Sequence, residues 1–121
     1  MTPALYEVRN TKQHKGELHR RWFTNEYADL YVWDLHGEVR AFEFCYNKSR
    51  DEHVLSWRET SGFSHARIDD GEHNILKKGT PIVTADDSFN PLAIIHLFES
   101  SARFIDAVVY RSVLGKLYSM A

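Results

Sequence analysis

Hydrophobic and polar residues alternate through much of residues 5–69, and the pattern becomes helical after residue 90. A period of two is typical of strands that bury one face. Gly37 and Gly62 each follow an alternating run and predict two-residue hairpin loops at 36–37 and 61–62, because glycine adopts positive φ at little cost. The predicted strands are residues 5–8, 29–35, 38–46, 54–60 and 63–69, with 82–84 as an edge strand.

The last third of the chain predicts two helices. Asn90 followed by Pro91 is a helix start, with a capping side chain and then proline at the first helical position. Ser100 and Ser101 interrupt the apolar spacing and predict the cap of a second helix over residues 102–118. Two apolar stripes predict burial of that helix against the sheet and against something else. The stripes are Ile105, Val108, Val109, Val113 and Leu117, and Ala107, Tyr110, Leu114 and Tyr118.

These elements predict an α+β fold, in which two C-terminal helices cover one face of an antiparallel β-meander of about four to six strands. The chain of 121 residues is expected to form a single domain, with a sheet region over about 5–84 and a helical region over about 90–119. Its hydrophobic content of 43% is enough for a core without disulfides or metal.

Strand register decides which side chains share a sheet face. The two-residue loops pair Trp33 with Arg40 and Arg58 with His65. The middle register is set by uniting the apolar faces, since a one-residue slip would bury Glu43 without a partner. The predicted core face carries Tyr31, Trp33, Phe42, Phe44, Leu55, Trp57, Ala66 and Ile68, with Phe42 beside Trp57 and Phe44 beside Leu55.

The opposite face is the one place where the sequence points to function. Its candidate ligand-binding residues are Glu43, Arg58, His65 and Arg67. Arginine presents a planar fork that suits carboxylate or phosphate, and His65 has the chemistry of a general acid or base. The alternative is an ordinary solvated face with cross-strand ion pairs. The apolar end of this face, which includes Leu30 and Val32, is typical of an interface.

Three other groups of residues are weaker candidates. The acidic and histidine residues of 65–73 lack the spacing of known metal sites, so no metal is predicted; they are His65, Asp69, Asp70, Glu72 and His73. Cys45 is expected to be a buried small hydrophobe rather than a nucleophile. The run 20–23, Arg-Arg-Trp-Phe, either stacks a base or clamps a phosphate, or forms a short edge strand with a cation–π contact.

The composition of the chain limits the classes of partner that we expect it to bind. Net charge is −2 and the basic residues are dispersed, so no nucleic-acid partner is expected. The single cysteine, the lack of a signal-peptide pattern and the short apolar runs predict a cytoplasmic protein with no membrane partner. No cofactor motif is present in the sequence.

About half of the chain, mainly the sheet region, resembles a group of small bacterial proteins with no assigned activity. The resemblance implies a bacterial source and transfers no catalytic residue, and the long apolar C-terminal helix departs from the group. The matching runs are 20–23, 29–33, 42–48, 57–58, 62–65 and 69–72.

The sequence favours a non-catalytic binding or assembly module that forms a homodimer. This expectation rests on the second helical stripe and on the partly apolar sheet face. The alternative is a receptor for a small anionic ligand, or an acid–base enzyme, that uses the polar sheet face.

Overall fold

A computed structural model of the protein describes residues 3–48, 51–68 and 90–120. It confirms the α+β class, with six antiparallel strands in chain order followed by two helices. The predicted strand over 82–84 lies outside the described residues. The elements are β1 (Tyr6–Glu7), β2 (His19–Thr24), β3 (Ala28–Leu35), β4 (Glu38–Tyr46), β5 (His53–Arg58), β6 (Gly62–Arg67), α1 (Pro91–Ala102) and α2 (Ala107–Met120).

The β3–β4 hairpin begins as predicted and then changes register. His36 and Gly37 form the loop, both with positive φ, but the pairing shifts at a β-bulge between Trp33 and Asp34. Arg40 is the extra residue, so Trp33 pairs with Ala41 instead of with Arg40. The bulge lets Val39 and Phe42 both be buried, although their odd spacing would place them on opposite faces of a regular strand.

The β4–β5 register is as predicted, with Phe42 opposite Trp57 and Phe44 opposite Leu55. The predicted β5–β6 register is wrong, because the loop has three residues, 59–61, instead of two. Arg58 therefore pairs with Gly62, whose φ is +81°, and not with His65. The longer loop turns β6 over relative to the prediction.

Helices α1 and α2 pack on the face that we call the covered face. Here Phe44 meets Phe98 of α1 edge-on at 5.5 Å between ring centroids. Each fully buried side chain of this size contributes roughly 1.5–3 kcal/mol to folding. The predicted core members Phe42, Phe44 and Leu55 are correct, and the predicted member Trp57 is partly buried against them. The other strand residues of this core cluster are Phe23, Ala28, Leu30, Val32, Val39 and Tyr46.

The opposite face, which we call the outer face, gains residues that the prediction assigned to the core. Tyr31 and Trp33 belong to it because of the bulge, and Ala66 and Ile68 because of the longer loop. In exchange, Leu30 and Val32 move to the covered face, where both are fully buried. The predicted apolar end of the outer face is therefore largely core.

Helix α1 begins as predicted, and helix α2 has a different cap from the predicted one. Asn90 caps α1, accepting a hydrogen bond from the Ala93 N–H, but Ser100 and Ser101 lie inside α1. The cap of α2 is Asp106, whose carboxylate accepts from the N–H groups of Val109 and Val108. Those bonds lower the pKa of Asp106. The first turn of α2 thus has the capping group that the sequence analysis assigned to serine.

Half of the second predicted stripe of α2 is packed, since Tyr110 and Leu114 are partly buried and Ala107 and Tyr118 are exposed. Tyr110 and Leu114 pack against the core, and Tyr110 stacks on Phe98 at 5.6 Å. Val108 and Tyr118 are exposed. No helix among the described residues is long and apolar enough to cross a membrane.

Candidate ligand-binding site

The strand register places side chains of the outer face in straight rows across the sheet. One row runs Arg20, Trp33, Ala41, Arg58 on strands β2, β3, β4 and β5. Strands lie about 4.8 Å apart, so the two arginine Cα atoms are separated by roughly 14 Å. Ala41, the smallest side chain of the row, lies between the indole and Arg58. This arrangement leaves a depression with an aromatic side and a cationic group at each end.

That depression is part of a cleft of about 760 Å³, which we call the arginine cleft. A volume of this size is typical of sites for organic ligands. Loop residues of 14–18, the strand residues Leu35 and Arg40, and Glu59 and Thr60 of the β5–β6 loop complete its walls. Its lining residues are His14, Gly16, Glu17, Leu18, Arg20, Trp33, Leu35, Arg40, Ala41, Arg58, Glu59 and Thr60.

The three arginines of the cleft differ in their partners. Arg40 is held by Glu59, with two hydrogen bonds of 2.7 and 2.8 Å, and by Glu38 at 2.8 Å. The Glu59 hydrogen bond raises the pKa of Arg40. Among the described residues, Arg20 and Arg58 have no carboxylate partner. The charge of Arg40 is therefore compensated, and the other two cations remain available to a ligand.

Arg20 is held in place without being neutralised. Its guanidinium lies over the Tyr31 ring, 5.7 Å from the ring centroid, and its main-chain N–H and carbonyl are both bonded to the Gln13 side chain. The Nε atom of Arg20 is buried without a hydrogen-bond partner among the described residues. A buried donor without a partner costs free energy, so an acceptor at this place would stabilise the protein.

An aromatic ladder continues the outer face beside the cleft. Trp22 stacks on Tyr31 at 5.7 Å, and Tyr31 contacts Trp33 at 6.3 Å. The indole N–H of Trp22 donates to Asp29. Burial, with a smaller contribution from the Asp29 charge, raises the pKa of Tyr31 to about 12, so its phenol stays neutral. Of the ladder residues, only Trp33 lines the cleft.

The structure does not bring the four predicted site residues together. Glu43 and Arg58 lie on the outer face as predicted, with Glu43 buried one row further along the sheet. His65 and Arg67 lie on the other face, because the β5–β6 loop has one residue more than predicted. Arg67 pairs with Asp51 at 2.8 Å. Only Arg58 of the predicted set lines the cleft.

His65 belongs to a buried ring cluster at the edge of the covered face. Its Nε2 is 2.5 Å from the Tyr46 hydroxyl, and its ring stacks on His53 at 5.2 Å between centroids. His53 Nδ1 contacts the Asp51 carbonyl oxygen at 2.8 Å. Both imidazoles are buried, so this cluster packs as part of the protein interior and is separated from the cleft by the sheet.

Two other candidates are settled by position. Cys45 is buried against Val54, and burial raises the pKa of its thiol, which disfavours the nucleophilic thiolate. Within residues 3–48, 51–68 and 90–120, no group of three or more histidine, cysteine or acidic residues is arranged to hold a metal ion. The predicted metal candidates Asp69, Asp70, Glu72 and His73 lie outside the described residues.

The sequence analysis missed the cleft because its residues come from four separate segments. The run 20–23 did carry a signal, since arginine beside aromatic residues indicated phosphate or base binding. Arg20 and Trp33 became neighbours only through the β2–β3 pairing, which the sequence analysis did not assign.

The fold and the cleft define the protein as an α+β domain with a basic and aromatic cleft on the outer face of its sheet. No protein-family model matches the chain, and comparisons with curated proteins and with solved structures gave no significant match.

Proposed function

We propose that this chain is a non-catalytic binding module that holds a small anionic ligand in the arginine cleft. The observation that carries the proposal is the pair of guanidinium groups, Arg20 and Arg58, that line one cleft without carboxylate partners among the described residues. Arginine that is not neutralised by the protein is the usual anchor for carboxylate or phosphate.

Binding is favoured over acid–base catalysis by the separation of the predicted residues. The enzyme alternative required His65 beside Arg58, and these side chains lie on opposite faces of the sheet. The cleft itself has one imidazole, His14, on an exposed loop. Recognition needs only the two cations and the shape of the cleft.

Arg58 and Arg67 offer a matched pair of variants. Both are exposed arginines on neighbouring strands, but Arg58 lines the cleft and Arg67 lies on the other face. In calorimetric titrations with inorganic pyrophosphate at low salt, we expect Arg58→Ala to weaken binding by about tenfold or more, since a charged hydrogen bond contributes roughly 1.5–3 kcal/mol. Arg67→Ala should bind as the parent protein does.

A second variant tests the cleft rather than the charge. Ala41→Leu places a larger side chain on the floor between Trp33 and Arg58, and we expect it to weaken pyrophosphate binding while the thermal midpoint changes little. Equal affinity in the parent, Arg58→Ala and Ala41→Leu proteins would show that the arginine cleft is not the binding site.

Self-association is a second proposed property, favoured by exposed apolar residues where α1 and α2 meet. Phe104 is 79% exposed and Val108 is 54% exposed. Exposed apolar groups of this size are typical of interfaces when they are clustered. We propose a homodimer that buries this end of the helical layer. Light scattering at micromolar concentration should give a dimer for the parent and a monomer for Phe104→Asp, whereas a monomeric parent contradicts the proposal.

A further inference from the structure

We propose that the ligand of the arginine cleft is a free nucleoside monophosphate, with its base packed on Trp33 and its phosphate bound by Arg58. This inference rests on the proposed anion-binding function and names the class of ligand. It follows from three properties of the cleft: its volume, the state of Trp33 and the balance of charge.

The volume of the cleft favours an organic ligand. The cleft of about 760 Å³ is far larger than an inorganic anion needs, and it lies within the range of roughly 300–1,000 Å³ that is usual for organic ligands and cofactors. The floor at Ala41 leaves room for a ring between the indole of Trp33 and the guanidinium of Arg58, which lie on either side of it in the row.

Trp33 is the aromatic side chain that remains available for stacking. Trp22 is already engaged, since it stacks nearly parallel on Tyr31 and its indole N–H donates to Asp29. Trp33 is tilted by 33° from Tyr31 and lines the cleft. Its indole N–H has no hydrogen-bond partner among the described residues. An aromatic face beside cations recognises a planar base attached to an anion.

The charge balance favours one phosphate group over a polyanion. Three arginines and two glutamates line the cleft, which leaves one positive charge in excess. Arg40 is neutralised by Glu59, and Arg20, although its charge remains available, is held over Tyr31 at the opposite end of the row from Arg58. Arg58 is exposed and has no carboxylate partner among the described residues, so it is the group that we assign to the phosphate. A nucleic-acid strand would bring several phosphates to a site that neutralises one.

The test follows the three indole N–H signals of the protein by nuclear magnetic resonance. The probes are the monophosphates of adenosine, guanosine, cytidine and uridine, with adenosine and inorganic phosphate alone as controls. We expect at least one nucleoside monophosphate to bind about tenfold or more tightly than either control, because stacking adds to the phosphate contact. The bound nucleotide should shift the Trp33 indole signal. The signal of Trp57, which lies under Lys116 on the covered face, should not change.

Variants separate stacking from folding. Trp33→Leu should lose about tenfold in nucleotide affinity and keep its affinity for inorganic pyrophosphate, whereas Trp33→Phe, which retains a ring, should recover most of the loss. Trp22→Leu is the matched control, since Trp22 lies on the same face and does not line the cleft. If Trp33→Leu does not fold, the indole shifts of the parent protein decide the question.

The outcomes distinguish this inference from the proposed function. If all four nucleotides bind no better than inorganic phosphate, or leave the Trp33 signal unmoved while pyrophosphate binds, the nucleotide assignment is wrong and the anion site stands. If no anion perturbs the cleft, both are wrong. A trinucleotide that binds tenfold more tightly than every monophosphate overturns the assignment to a free nucleotide and points to a nucleic-acid strand.

Discussion

The two faces of the sheet are built from the same strands and have different tasks. On the covered face, Leu30, Val32, Phe42 and Phe44 are completely buried beneath the helices. On the outer face, the alternate residues of the same strands include the half-buried Trp33 and the cleft arginines. Because neighbouring residues of a strand point to opposite faces, each of the strands β2 to β5 contributes to the core with one set of side chains and to the cleft with the other.

Arg20 and Arg21 show the difference within two consecutive residues. Arg21 lies on the covered side, where Glu7 forms two hydrogen bonds of 2.8 Å with its guanidinium and Asp106 lies 3.8 Å away. The Glu7 hydrogen bond raises the pKa of Arg21. Arg20 faces the cleft with no carboxylate partner among the described residues. The protein neutralises the arginine that serves its structure and leaves its neighbour available.

The largest expected effect compares aromatic side chains of the two faces. Phe44→Ala should lower the free energy of unfolding by about 3–5 kcal/mol, because a fully buried ring leaves a cavity against Phe98. Tyr31→Ala, on the half-buried outer face, should cost about 1–2 kcal/mol. Urea denaturation of both variants measures the difference. Equal losses would mean that the outer face carries as much of the core as the covered face.

The type and order of most described elements could be predicted from the sequence, because alternation and the Asn90-Pro91 start are local signals. The exception is β2, since a short edge strand was only one of two interpretations of the run 20–23 and β2 lies between β1 and β3. The β4–β5 register could also be predicted, because slipping it by one residue would have placed Glu43 in the core without a partner. Two local features of the hairpins, the bulge at Arg40 and the three-residue loop 59–61, were not predicted. The bulge at Arg40 had a signal in the odd spacing of Val39 and Phe42, and the 59–61 loop had none, since glycine suits the end of either a two- or a three-residue turn.

These two features changed the predicted site more than they changed the predicted fold. A shift by an odd number of residues leaves the strand in the same sheet but turns its side chains to the other face. His65 and Arg67 were therefore separated from Arg58, although β6 itself was predicted nearly correctly. Arg20 came beside Trp33 through the β2–β3 pairing, which joins separate segments and is not encoded by a local pattern, and Trp33 came beside Ala41 through the bulge at Arg40.

The next effect on stability in order of size concerns the ion pair between Arg21 and Glu7. Arg21 lowers the pKa of Glu7 through their hydrogen bonds, so the ionised carboxylate stabilises the fold above the ordinary value of 4.5. This contribution is lost as the pH falls through the lowered pKa. Because the Glu7 side chain is 41% exposed, we expect Glu7→Gln to cost only about 0.5 kcal/mol at pH 7 and nothing at pH values where Glu7 is protonated.

Urea titrations of the parent and Glu7→Gln proteins at several pH values measure this dependence. Glu26→Gln is the control, since Glu26 is exposed and has no ion pair within the described residues. A Glu7→Gln effect that stays constant from neutral to acidic pH would assign the loss to packing and remove the electrostatic contrast between Arg21 and Arg20.

The smallest expected effect falls on Ser56, in the row next to the cleft. Ser56 is 3% exposed, and its Oγ atom has no hydrogen-bond partner among the described residues. A buried hydroxyl without a partner destabilises the folded state, so Ser56→Ala should leave the free energy of unfolding unchanged or raise it by no more than about 0.4 kcal/mol. Ser101→Ala is the matched comparison, because Ser101 of helix α1 is also buried and its hydroxyl donates to the Leu97 carbonyl at 2.7 Å. A gain in stability for Ser56→Ala without a gain for Ser101→Ala would show that the Ser101 hydroxyl has its hydrogen bond and that the Ser56 hydroxyl does not. This difference is expected if the outer face is shaped for a ligand rather than for stability. A loss of stability for Ser56→Ala contradicts that distinction between the two faces.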